Sequence, residues 1–260
     1  MEGKMINRRK AITMLSLGSA GLLTQGLYLN WEKEKHIITL SFDDGFEKST
    51  LKTVELFEKY SLSACINVIA TANLKNFKLP NEYHKWPVGD FDLWNDLKRR
   101  GHEIMPHSYR HDNLTLIPFN EATILITKCL DAFSENLEGF RAEESIYNFA
   151  YNASTPELEE WLKMKVKAFR TGGSAINPLP YNGMCRLTCI SKGPENIDDF
   201  LEESINSFLE GPSGWFIFNT HGVDDEGWGP ISSGFLDELL DRLVNTENVE
   251  ILPAFMALNI

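Results

Sequence analysis

From residue 36 onward, short apolar runs alternate with amphipathic stretches. "HIITLSF" (36–42) is β-branched and predicts a buried strand, and "KSTLKTVELFEKY" sets Leu51, Val54, Leu56 and Phe57 at helical spacing. "SACINVIAT" predicts a second strand, and residues 73–92, with Pro80, Pro87 and Gly89, predict a long loop. "FDLWNDLKRRG" predicts a helix closed by Gly101, "HEIMPHS" a third strand, and 120–138 a long helix capped by Asn120. "SIYNFAY" then reads as a strand and "STPELEEWLKMK" as a helix with an early proline. "AFRTGG" and "CRLTCI" read as strands, 196–210 as a helix, "GWFIFNTHG" as a strand, "SGFLDELLDRLV" as a helix and "VEILPAFMAL" as a last strand. Strand–helix alternation of this kind predicts an α/β fold, a largely parallel sheet with helices outside, closed or nearly closed. No internal repeat, low-complexity tract or interior linker interrupts it, so residues 37–260 are expected to form one domain.

Residues 1–36 differ in kind. A basic patch (Lys4, Arg8, Arg9, Lys10) precedes an almost uncharged stretch from Ala11 to Trp31, the layout of an export signal, and Arg8-Arg9 resembles a twin-arginine leader. No A-x-A cleavage site follows, so both a cleaved leader and an N-terminal membrane anchor fit. Either one predicts an exported protein: periplasmic, at the cell surface or secreted.

Charge narrows the partners. The 260 residues carry a formal −12, and without residues 1–36 the remainder has 19 Lys and Arg against 34 Asp and Glu, a net −15. A body so acidic repels phosphate backbones, which argues against nucleic acid and in favour of neutral or cationic substrates. The four cysteines form no C-x-x-C pair, and Cys185 and Cys189 on one extended strand stand too far apart to bridge, so no disulfide framework is expected.

In parallel α/β folds chemistry gathers at the C-terminal ends of strands. That rule selects "SFDDG", "HSYRH" and "NTHG", which hold Asp43 and Asp44, His107 and His111, and His221. Alone, D-G marks turns, H-x-x-x-H recurs by accident, and a lone histidine is usually hydrogen-bonded structure. Their joint placement at three predicted strand ends is what points to chemistry. Asp43 and Asp44, adjacent on extended backbone, point opposite ways and can take different roles. His107 and His111 meet if the backbone turns helical after the strand, and with one carboxylate they make a three-ligand catalytic metal site.

"TLSFDDG", "GHEIMPHSYRH" and "FNTHG" resemble motifs of the NodB-homology polysaccharide deacetylases, carbohydrate esterase family 4, over about residues 37–256. The resemblance implies a distorted or incomplete (β/α) barrel and metal-dependent removal of N- or O-acetyl groups from sugars. It implies Asp43 as general base, Asp44, His107 and His111 as metal ligands, and His221 as general acid. The expected ion is Zn2+; Co2+, Mn2+ and Ni2+ suit the same donors. The family's third motif is altered to "FAYNAST" here, which makes Tyr151 and Asn152 candidate substrate contacts. Its base-orienting arginine has no counterpart near Ala150, and Arg170, at the next predicted strand end, is the candidate stand-in. The fourth motif is not recognisable. Trp228, between Gly227 and Gly229, and Trp86, in the 73–92 loop, are candidate sugar platforms.

The leading expectation is an exported metal-dependent deacetylase of an acetylated glycan. The alternatives are a hydrolase of a small amide or cyclic ureide with the same metal chemistry, and a glycan-binding relative without turnover.

Overall fold

The computed structural model describes residues 35–77 and 86–260; most of the expected leader therefore lies outside the described residues. In chain order the main elements are β1 (His36–Phe42), α1 (Glu47–Lys59), β2 (Cys65–Val68), α2 (Phe91–Arg99), β3 (Glu103–Pro106), α3 (Phe119–Asn136), β4 (Ile146–Asn148), α4 (Pro156–Leu162), β5 (Ala168–Gly172), β6 (Ile176–Asn177), β7 (Arg186–Cys189), α5 (Asp198–Leu209), β8 (Gly214–Thr220), α6 (Ser233–Val244), β9 (Val249–Ile251) and α7 (Ala254–Ala257).

β1 and β8 are buried at all seven positions, as strands covered on both faces must be. They pair in parallel, in register from His36↔Gly214 to Phe42↔Thr220. β2 joins the C-terminal half of β1 and β9 its N-terminal half. β3 continues outward from β2, and β6 lies antiparallel on β8. β4, β5 and β7 form a second parallel sheet.

The two sheets nearly close on each other. At the β3–β4 seam no strand ladder forms; the Asn148 side chain donates to the Pro106 carbonyl at 3.3 Å, and the Ile146 N–H to Met105 Sδ at 3.5 Å. At the β7–β8 seam a single bridge, Ile190↔Phe218, joins the sheets, with the Asn219 N–H on the Ile190 carbonyl at 3.0 Å. The result is a (β/α) barrel distorted by two interrupted seams, as the alternation and the resemblance both predict.

Local departures have local causes. α3 starts one residue before the expected cap: Pro118 (φ −57) makes the extended entry, no side chain caps the helix, and Asn120 lies inside it. The expected last strand breaks at Pro253, which offers no N–H for pairing; β9 stops at Ile251 and α7 follows. Glu103, at the start of β3, receives the Phe255 N–H of α7 at 2.8 Å, and burial raises its carboxyl from 4.5 to about 7. The four cysteines are free thiols.

Candidate active site

The register of β1 and β8 sets the first pair of groups. Because Phe42 lies opposite Thr220, Asp43 and His221 leave neighbouring strands side by side, and the Asp43 N–H still reaches the Thr220 carbonyl at 2.9 Å. The chain then turns sharply through Asp44 (φ 73) and Gly45 (φ 78). A Cβ on Gly45 would stand 3.0 Å from the Trp94 ring and 3.1 Å from Val68, so this turn needs glycine for conformation and for space.

His107 leaves β3 with its N–H on the Val68 carbonyl at 2.9 Å. The following backbone does not become helical. Ser108 (φ 74) and His111 (φ 61) are both left-handed, and the Ser108 hydroxyl accepts the His111 N–H at 2.8 Å, closing a tight turn. The turn still brings the imidazoles together, with ring centroids 5.3 Å apart.

Asp44, His107 and His111, all buried, place ligand atoms within 4.8 Å of one another. Asp44 Oδ1 lies 3.4 Å from His107 Nε2 and 3.3 Å from His111 Nε2. His107 Nδ1 must donate to the Asn148 carbonyl (3.1 Å), since a carbonyl only accepts, which leaves Nε2 as a bare lone pair. That Nε2 and Asp44 Oδ1 are buried with no hydrogen-bond partner, a state rare in folded proteins and resolved by an ion between them. Burial would raise the Asp44 carboxyl, but the His111 and His107 imidazoles outweigh it and hold it at about 2. Burial lowers the His111 imidazole to about 4 against the pull of Asp44. An ionised carboxylate beside neutral imidazoles is the protonation state a divalent ion requires, so these residues fit a metal.

Asp43 faces the other way. Arg170 holds it bidentately, with Nη1 on Oδ1 at 3.0 Å and Nη2 on Oδ2, and Nη1 also reaches the Ser41 hydroxyl at 2.5 Å. Arg170 stands in the middle of β5 rather than at its end, and its side chain crosses the barrel interior. Asn67 donates to Oδ1 at 2.8 Å and Asn219 to Oδ2 at 2.9 Å. Burial works to raise the Asp43 carboxyl, but Arg170 and the neighbouring His107 overcome it and hold the group well below the usual carboxylate range.

His221 donates Nδ1–H to the Trp228 carbonyl at 3.1 Å, which turns its Nε2 away as a free nitrogen. The Trp228 ring stands edge-on to the imidazole at 5.4 Å. A Cβ on Gly193 would fall 2.6 Å from that ring, so the 193 position fixes where Trp228 lies.

Asp43, Asp44, His107, His111, Tyr151, Asn152, His221 and Trp228 line one cavity of ≈ 360 Å³, with Arg170 behind Asp43. Tyr151 (φ 59) and Asn152 (φ 50) form a strained left-handed turn after β4, and the Tyr151 ring lies 4.7 Å from His111. Trp86 does not join them. It packs edge-on against Phe46 in a separate apolar cluster with Ile69 and Val88, and this packing corrects its expected place at the cavity. Ser191 and Asn219 line the cavity without having been expected there, and Asn67 supports it from beneath. The available signal was a polar residue interrupting an apolar strand, in "CINV" and "GWFIFNT".

The arrangement provides a three-ligand ion site, an adjacent anion fixed for proton transfer and an imidazole nitrogen across a small cavity, the parts of a metal-assisted hydrolase. Residues 31–182 match the family model described as polysaccharide deacetylase. No curated protein matches the chain. Solved structures similar to it include the peptidoglycan deacetylase PdaC from Bacillus subtilis (17% identity, 86% of this chain and 90% of that one, TM-score 0.54). A family 4 acetyl xylan esterase from Clostridium thermocellum, in complex with a cobalt ion, is similar at 15% identity over 86% of this chain and 90% of that one, with a TM-score of 0.57. The Xyl-CE4 domain of a multidomain xylanase from the hindgut metagenome of Trinervitermes trinervoides is similar at 15% identity over 87% and 91%, also with a TM-score of 0.57. At these identities the likeness is one of fold.

Proposed function

The chain belongs to the polysaccharide deacetylase family, hydrolases that remove acetyl groups from glycans, and on that premise we propose that it cleaves an N- or O-acetyl group from a sugar with a divalent ion, an Asp base and a His acid. The observation that carries this reading is the convergence of Asp44, His107 and His111 within 4.8 Å, beside an Asp43 clamped by Arg170. Asp44, His107 and His111 would hold the ion, Zn2+ by preference. When bound, such an ion polarises an acetyl carbonyl and acidifies a water.

Asp43 takes the proton from the attacking water as its oxygen bonds the acetyl carbon. Arg170, Asn67 and Asn219 keep that carboxylate ionised and aimed. As the C–N or C–O bond breaks, His221 delivers a proton from Nε2 to the departing amine or alcohol, while the Trp228 carbonyl fixes its ring through Nδ1. Tyr151, Asn152 and Trp228 border the space where the sugar would lie. Asn152 donates its side-chain amide to Ser191 (3.2 Å) and Asn219 (2.9 Å), so it braces the base's support as well as facing substrate.

We place this catalytic domain at residues 37–260 and propose export by the N-terminal segment, on the strength of its basic patch and uncharged stretch. Metal analysis combined with acetate release from chito-oligosaccharides, peptidoglycan fragments and acetylated xylan tests the reading. Acetate from any of these with stoichiometric metal is the expected result; silence across the panel with metal bound would move the substrate to a small amide.

A further inference from the structure

A second cavity, of ≈ 730 Å³, opens beside the catalytic one and shares His111 and Tyr151 with it as a common wall. Leu74, Phe77, Tyr109, Leu116, Ile117 and Tyr151 give it its apolar lining. Leu116 is 79% exposed, Leu74 55% and Tyr151 47%, so three large apolar side chains face water on one rim. Singly exposed apolar residues need no explanation, but a cluster at the mouth of a site does.

The polar side chains of the same groove are already engaged. Arg110 Nε donates to Asp112 at 2.6 Å, and Thr71 donates its hydroxyl to the Tyr109 carbonyl at 2.7 Å. Asn113 Oδ1 accepts both the N–H (3.1 Å) and the hydroxyl (2.7 Å) of Thr115. A neighbouring sugar ring would need free donors and acceptors for its hydroxyls as well as an apolar face. A run of methylenes needs none, and gains by leaving water.

Building on the deacetylase reading, we propose that this groove binds an apolar chain attached to the sugar, so that the substrate is an acetylated glycan carrying an alkyl or acyl group. The acetylated sugar sits over the metal ligands, and the chain passes Tyr151 and His111 to lie along Leu74, Leu116 and Ile117.

The test is calorimetric titration of the full chain with methyl, butyl and octyl β-glucosides, which carry no acetyl group and are not consumed. Full burial of a methylene tightens binding roughly fourfold; an open groove covers about half of it, giving roughly twofold per methylene and on the order of fifteenfold from butyl to octyl. Leu116→Asp and Leu74→Asp, at solvent-facing positions the fold does not depend on, should flatten this series. Met164→Asp, at a residue 74% exposed that lines neither cavity, should keep it. Equal affinity for all three glucosides overturns the proposal. So does a gain from chitobiose to chitotetraose with none from added methylenes, which would give the groove to a second sugar. Acetate release from the matching N-acetylglucosaminides separates the two readings. Chain-length-dependent binding without acetate from any substrate sinks the deacetylase assignment alone, whereas acetate release without chain-length dependence sinks the groove alone.

Discussion

Replacing Arg170 with methionine removes the cation that holds Asp43 while keeping most of its volume. Both side chains are buried, so the substitution strands an anion inside the barrel. Breaking a buried pair from one side costs about 3–5 kcal/mol. Asp43 retains its two carboxamide donors, Asn67 at 2.8 Å and Asn219 at 2.9 Å, which places the loss near the lower figure, about 3 kcal/mol. For a domain of this size that corresponds to a fall in Tm of about 6–12 °C. Asp43→Asn should cost more, nearer about 5 kcal/mol, because Arg170 then keeps only the Ser41 hydroxyl as a strong acceptor. The double variant carries neither charge and should recover about 3 kcal/mol of the summed losses. Thermal unfolding of all four proteins, with chelator present so that metal binding does not add to stability, measures the coupling. Additive losses would refute the account of Asp43 and Arg170 as one interdependent unit.

Asp44→Ala should abolish bound metal by elemental analysis, and unchanged content would remove Asp44 from the ion site. Asp43→Asn should keep the metal and lower acetate release by about 10²–10⁴-fold; release at the parent rate would end its role as base. Gly193→Leu should push the Trp228 ring off its seat and, through His221, lower kcat/KM by up to about 10²-fold with metal content unchanged. Glu103, with its folded carboxyl raised from 4.5 to about 7, binds a proton where the unfolded chain has lost it, so its contribution to stability falls by about 3 kcal/mol as pH rises through that window. Glu103→Gln removes the slope, and its Tm relative to the parent should rise between about pH 5 and about pH 8; parallel curves would show that Glu103 does not titrate there.

The strand framework was legible because burial on both faces leaves a continuous apolar signature. "HIITLSF" became β1 to the residue. The metal ligands were legible because strand ends are where this architecture collects polar chemistry. The means by which they meet was not. A four-residue spacing suggests a helical turn, but Ser108 and His111 are left-handed, and no propensity scale announces that for serine or histidine. The carboxamides around Asp43 were equally hidden, because a single asparagine in an apolar strand reads as noise until the facing strands show that Asn67, Asn148 and Asn219 converge. The hydrogen bond from Asn148 to Asn67 Oδ1, at 2.8 Å, joins residues 81 apart in sequence. Trp86 was misjudged from composition alone: a tryptophan in a polar loop looks available for sugar, and here it covers Phe46.

The pairing of β1 with β8 constrains how this protein can be rebuilt. The proposed base and acid sit one residue beyond the last in-register pair, Phe42↔Thr220, so their separation depends on equal strand lengths. Deleting one residue from either strand alternates every side chain to the opposite face and parts Asp43 from His221. Loop grafts and helix swaps can vary the rim freely, but in a chimera these two strands have to come from the same parent.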